Sequence, residues 1–190
     1  MCGIVGYIGF QKASPILLAG LSKLEYRGYD SAGIATLEGN SIKVAKDKGR
    51  VENLYNLEET KKLEGSIGIA HTRWATHGIP SKINSHPHLD NSNSVAVVHN
   101  GIIENYIDLK NMLIKNGYKF ISDTDTEVVP NLINFYYNQD HLDDDLRLLR
   151  AVKKTCDSLI GSFSLEIISK YMPNNMIVVR KDSPLVIGKG

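Results

Sequence analysis

Cysteine is nearly absent: only Cys2 and Cys156 occur, too few for a disulfide framework and suited to a reducing cytoplasm. No apolar run approaches the roughly 20 residues that a bilayer-crossing helix needs. The opening Met1-Cys2-Gly3-Ile4-Val5-Gly6 lacks the basic region and long apolar core of a signal peptide. The expectation is a cytoplasmic protein without membrane contact. An excess of charge is missing as well, since 22 Lys and Arg stand against 21 Asp and Glu, which excludes an overall electrostatic footprint for nucleic acid. There is no repeat, low-complexity tract or obvious linker. What is present is a 190-residue chain, 42% hydrophobic, with material for one substantial core. Its expected partner is a small molecule or another protein domain.

Residues 4–9 are apolar, β-branched and Gly-rich, and predict a buried strand. Ser14-Pro15 predicts a helix cap and first-turn proline, followed by Leu17, Leu21 and Leu24 at helical spacing up to Gly28. Residues 34–37 and 42–44 flank Glu38-Gly39-Asn40 as a hairpin, and 51–63 read as a short amphipathic helix. A strand at 66–71 precedes a long polar stretch, 73–94, of the kind that is usually functional inside a compact domain. A strand at 95–99 and a helix at 105–116 follow. Thr124-Asp125-Thr126-Glu127 predicts a capping box opening a helix toward Tyr137. A further helix is expected at 143–159, then strands at 162–169, 176–179 and 185–187. Paired helices and hairpin-linked strands favour an antiparallel sheet covered by helices over a doubly wound one.

Cys2 stands out chemically. Loss of Met1 would leave a thiol and a free α-amine on one residue, and such an amine titrates at about 7.7–8.0, close enough to neutrality to take the thiol proton. A thiolate attacking a carboxamide gives a thioester and ammonia. Asn100-Gly101 offers a side-chain amide and an unencumbered N–H for an oxyanion, Arg73 a guanidinium fork for a carboxylate, and Asp125 an acceptor for an ammonium. By themselves these residues admit plainer readings: a small residue near a strand, a hairpin turn, a surface charge and a first-turn acid. The histidines around His86-Pro87-His88 have no Cys or carboxylate at ligand spacing, so neither a metal nor a cofactor is expected. Cys156, inside a helical pattern, reads as an inert buried residue.

Five blocks in order carry a resemblance: Cys2-Gly3-Ile4-Val5-Gly6, Leu24 to Gly33 (LEYRGYDSAG), His71 to Gly78 (HTRWATHG), His99 to Asn105 (HNGIIEN) and Thr124-Asp125-Thr126-Glu127. Together they resemble the class II, N-terminal-nucleophile glutamine amidotransferases, and among these the glutaminase domain of the glucosamine-6-phosphate synthases. The likeness runs from Cys2 to Gly188. It implies an α+β fold, a four-layer αββα sandwich of mainly antiparallel sheets, here one glutaminase domain over 1–190 short of its final strands and without the synthase domain. It implies L-glutamine as substrate, hydrolysed through a Cys2 thioester, and Asn100 and Gly101 as the oxyanion pair. Arg73, Trp74, Thr76, His77, His86 and Asp125 would surround the substrate, with Trp74 in a covering loop, and Arg27 would support the nucleophile structurally. Fructose 6-phosphate would be met only through the missing synthase domain, in a full-length homo-oligomer. The nearest rival is the glutaminase half of a glutamine phosphoribosylpyrophosphate amidotransferase, which typically has Arg-Tyr-Ser-Thr where this chain has Arg73-Trp74-Ala75-Thr76. A retained Met1 would block the amine and leave a non-catalytic or regulatory binding domain.

Overall fold

The computed structural model describes residues 2–74, 78–142 and 144–190. Two four-stranded antiparallel sheets stack between helices. The first has order β1-β4-β2-β3, from β1 (Gly3–Ile8), β2 (Ser31–Glu38), β3 (Ser41–Lys48) and β4 (Ile67–Arg73); the second has order β5-β6-β7-β8, from β5 (His88–Leu89), β6 (Val95–Ile103), β7 (Gly161–Ser169) and β8 (Met176–Lys181). Helices α1 (Ala13–Leu24) and α2 (Val51–Asn56) cover the first sheet, with the single turn α3 (Glu58–Lys61) beside them. Helices α4 (Tyr106–Lys115), α5 (Val128–Gln139) and α6 (Arg147–Ser158) cover the second. This is the four-layer αββα arrangement.

Period-2 alternation explains the layers. In β6, Val95 and Val97 pack under the helices, while Ala96 and Val98 face the other sheet. In β7, Phe163, Leu165 and Ile167 go outward and Ile168 inward. A strand buried on both faces reads as a continuous apolar run, which is why VAVV in β6 carries no polar alternation. Replacing a fully buried residue such as Leu165 or Ile69 by Ala costs about 2–5 kcal/mol, because the packed layers close only partly over the hole.

Several local expectations differ. The helix predicted over 51–63 is broken at Leu57, whose extended backbone (φ -72, ψ 135) interrupts the helical bonds. Ser14 is not the cap of α1, which begins at Ala13; its hydroxyl donates instead to the Leu63 carbonyl at 3.1 Å. The capping box does not form: α5 starts at Val128, and the Glu127 carboxylate accepts from the Ile121 and Ser122 N–H groups and from the Ser122 hydroxyl. The helix expected from 143 starts at Arg147. Residues 185–187 are not a strand. Asp182 takes a left-handed turn (φ 57) and Pro184 offers no N–H, so the segment leaves β8 without pairing, with Val186 and Ile187 93% and 81% exposed.

Candidate active site

The layer between the sheets is apolar for most of its length and turns polar at one end. In β4, Ile67 and Ile69 point into it, and continued alternation brings His71 and Arg73 to the same face. β1 runs antiparallel to β4 with Ile4 opposite His71 and Gly3 opposite Thr72, so Cys2 arrives beside Arg73 and Trp74. The Trp74 N–H donates to Cys2 Sγ at 3.1 Å, and the Gly3 N–H to Thr72 Oγ1 at 3.1 Å. A side chain at Gly28 would come within 2.8 Å of the Arg73 backbone. The turn carrying Arg27 is thereby seated directly on the segment that holds the thiol.

Asn100 reaches this end from β6. Its Nδ2 donates to the Cys2 carbonyl at 3.1 Å, and its Oδ1 lies 3.0 Å from His71 Nε2, which is also 3.1 Å from the His99 carbonyl. A carbonyl only accepts, so the amide must turn Nδ2 to Cys2 and Oδ1 to His71. His71 then carries its proton on Nε2 and donates to both oxygens. Burial lowers the His71 ring to about 3, against the pull of the Asn100 and His99 bonds, and holds it neutral. Gly101 follows at φ 130, and a Cβ there would lie 2.0 Å from the Ser162 carbonyl. Only glycine fits so close to β7 in that conformation.

The remaining rings stack behind His71. His86 lies parallel to it at 4.1 Å and accepts from the His99 N–H at 3.2 Å on Nδ1. His99 Nδ1 meets Thr126 Oγ1 at 2.8 Å, and His88 Nε2 meets Thr124 Oγ1 at 3.0 Å. Burial lowers all of them, His99 to about 4 and His86 and His88 well below the ordinary value. Lys46 holds this wall in place, its ammonium donating to the Ser85 and Pro87 carbonyls at 2.8 and 3.2 Å.

Arg73 is buried and donates through Nη2 to the Gly78 carbonyl at 3.1 Å; burial lowers it, while Asp30, Cys2 and Asp125 favour its charge. Asp125 is buried and accepts the Ile103 N–H at 2.9 Å. Trp74 is 51% exposed at the rim, edge-on to Tyr29 at 5.8 Å. Burial raises the Cys2 thiol above its ordinary value, more than the Trp74 N–H and the Arg73 charge lower it.

One cavity of about 700 Å³ is lined by Cys2, Arg27, Arg73, Trp74, His86, Asn100, Gly101 and Asp125. Thr76 and His77 lie outside the described residues. The same cavity is lined by His71, His99, Thr126, Ser164 and Glu166, which sequence reasoning did not single out. The signal was there for one of them: His71 is a polar residue that follows Ile67 and Ile69 on the inward face of β4. Among the described residues no cluster of His, Cys, Asp and Glu is arranged to hold a metal.

A glutamine amidotransferase domain model matches residues 71–188. The whole chain is 56% identical to the glutamine–fructose-6-phosphate aminotransferase (isomerizing) of Clostridium perfringens and 50% identical to that of Aquifex aeolicus. It spans 30% and 31% of those proteins. Among solved structures, the glutamine phosphoribosylpyrophosphate amidotransferase of B. subtilis superposes with a TM-score of 0.74 at 27% identity, over 90% of this chain and 35% of that one. An allosteric regulatory enzyme of purine biosynthesis superposes at 0.76, also at 27% identity, over 95% of this chain and 37% of that one.

Proposed function

Because the chain belongs to the glutamine amidotransferase family, we propose that it hydrolyses the side-chain amide of L-glutamine through Cys2, and that within a longer protein the ammonia serves glucosamine 6-phosphate synthesis from fructose 6-phosphate. The observation that carries the reading is the short path from the thiol to a pre-set amide donor: Asn100 Nδ2 lies 3.1 Å from the Cys2 carbonyl and is oriented by His71 at 3.0 Å. Identity of 56% along the full chain to an aminotransferase acting on fructose 6-phosphate, against 27% to the phosphoribosylpyrophosphate enzyme, favours the first acceptor.

Removal of Met1 frees the Cys2 amine, which takes the Sγ proton. Sulfur then attacks the amide carbon of glutamine, and the carbonyl electrons move to oxygen. Asn100 Nδ2 and the Gly101 N–H stabilise that oxyanion, the donors being fixed before charge develops. Collapse breaks the C–N bond, the amine returns its proton to the leaving nitrogen, and ammonia departs. Water then opens the thioester to glutamate and free thiol. Arg73 grips the α-carboxylate and Asp125 the α-ammonium, with Thr76, His77 and His86 around them and Trp74 over the opening. Arg27 supports the segment that holds Cys2 and takes no chemical step.

A glutamine-mimicking electrophile tests this, applied to protein shown by intact mass to begin at Cys2. It should modify Cys2 and spare Cys156, whose thiol is pushed up to about 11 by burial and by Asp157. Labelling of Cys156, or glutaminase activity surviving in Cys2→Ala, would overturn the assignment.

A further inference from the structure

The cavity has an arm that this chemistry does not use. Cys2, Ile4 and Gly6 share one face of β1 and look across at β7, where alternation turns Ser164, Glu166 and Ile168 inward. Ser164 pairs with Asn100 and Glu166 with Val98, so Glu166 lies one inward position deeper than the oxyanion donor. Its Oε2 would be 2.6 Å from a Cβ built on Gly6. Gly6 and Cys2 are four positions apart along extended chain, about 13 Å at the usual rise. That distance keeps Glu166 away from the scissile amide, so it is not a catalytic residue.

Glu166 is 7% exposed, lines the cavity, and its Oε2 has no hydrogen-bond partner among the described residues. No described cation pairs with it: Arg180 sits opposite Ser164 across β8 but is exposed. Burial alone raises the carboxyl to about 7. An unpartnered buried acid costs stability, and it stands where an aliphatic side chain would continue the apolar layer of Ile4, Val98 and Ile168. A ligand that supplies hydrogen-bond donors and positive charge offsets that cost.

We propose that Glu166, with the Ser164 hydroxyl beside it on the cavity wall, is a binding site for ammonium. The proposal rests on the reading that ammonia is released at Cys2. Ammonia is small, polar and neutral, and the continuous cavity gives it a path to Glu166. There the carboxylic O–H bond breaks and an N–H bond forms on the nitrogen lone pair, leaving carboxylate and ammonium in contact with no other reactant consumed. The proton transfer is driven by the ion pair it creates, since ammonium favours the charged carboxylate and the carboxylate favours the charged ammonium, against the burial that disfavours both. The site would hold product ammonia inside the protein as an ion, apart from the nucleophile.

The test is titration of ammonium chloride into the 190-residue chain at pH 8, ionic strength held with sodium chloride, followed by NMR signals of Gly6, Val98, Ser164 and Met176. Saturable shifts confined to these residues are expected, with Kd at least tenfold weaker in Glu166→Gln. Shifts that rise without saturating, equal saturation by potassium, or unchanged binding in Glu166→Gln each overturn the proposal. The wild-type chain must saturate on its own account, so the proposal falls without saturation even where the variant fails to fold. No glutamine is present, so the outcome does not depend on hydrolysis. Glutamate formation on the same preparation tests the glutaminase reading separately.

Discussion

At the Cys2 end of the cavity four buried imidazoles each have at least one hydrogen-bond partner, although His71 Nδ1 and His99 Nε2 meet none among the described residues, whereas at the other end the buried Glu166 Oε2 has no described partner. Burial strips charge from both sets, and the consequences run in opposite directions. A neutral imidazole both donates and accepts, so His71 can orient Asn100 while uncharged. A neutral carboxyl donates and accepts too, but Glu166 Oε2 meets no described partner.

The widest expected effect comes from acid. The four histidines have folded values below 6.5, His71 at about 3 and His99 at about 4. Their stabilisation is present above pH 6.5 and is lost as pH falls through the range between 6.5 and those values, each at up to about 1.4 kcal/mol per unit. Glu166, raised to about 7, acts oppositely: its contribution is complete below the unfolded carboxyl range and is lost as pH rises to 7. Four groups outweigh one, so the denaturant midpoint should drop steeply between pH 6.5 and 5. A flat profile would break the comparison.

Next is Asn100→Ala, which removes the donor oriented by His71. Turnover should fall by about 2.7–4 kcal/mol of transition-state stabilisation, with KM little changed. A rise in KM alone would refute the oxyanion role. At the other end, Glu166→Gln should stabilise the fold by about 3 kcal/mol at pH 8, from the gap between its folded and ordinary values, and by almost nothing near pH 4.5; urea unfolding at both pH values checks the sign. The smallest effect expected is for Arg73→Ala. Loss of a charged hydrogen bond worth about 1.5–3 kcal/mol should raise KM for glutamine more than it lowers kcat, read in steady-state kinetics.

Much of the architecture was legible in the chain. The apolar runs at 67–70 and 95–98, the helical spacing of Leu17 and Leu21, and the hairpin at Gly39 all appear where periodicity puts them. The misreadings share one cause. Thr124 and Glu127 have the spacing of a cap, but Glu127 finds better donors in the preceding loop, at Ile121 and Ser122. Residues 185–187 have strand composition but pair with no described strand, and a strand is defined by its partner.

The sequence by itself singled out Cys2, most of the order of strands and helices and the apolar faces, because propensity and periodicity act over a few residues. Only the tertiary structure decided that Asn100 meets Cys2, 98 positions away, that His71 fixes the orientation of its amide, and that Glu166 Oε2 lies over Gly6 without a described partner. Those outcomes follow from strand register and from how two sheets stack. They depend on distances that no local pattern encodes.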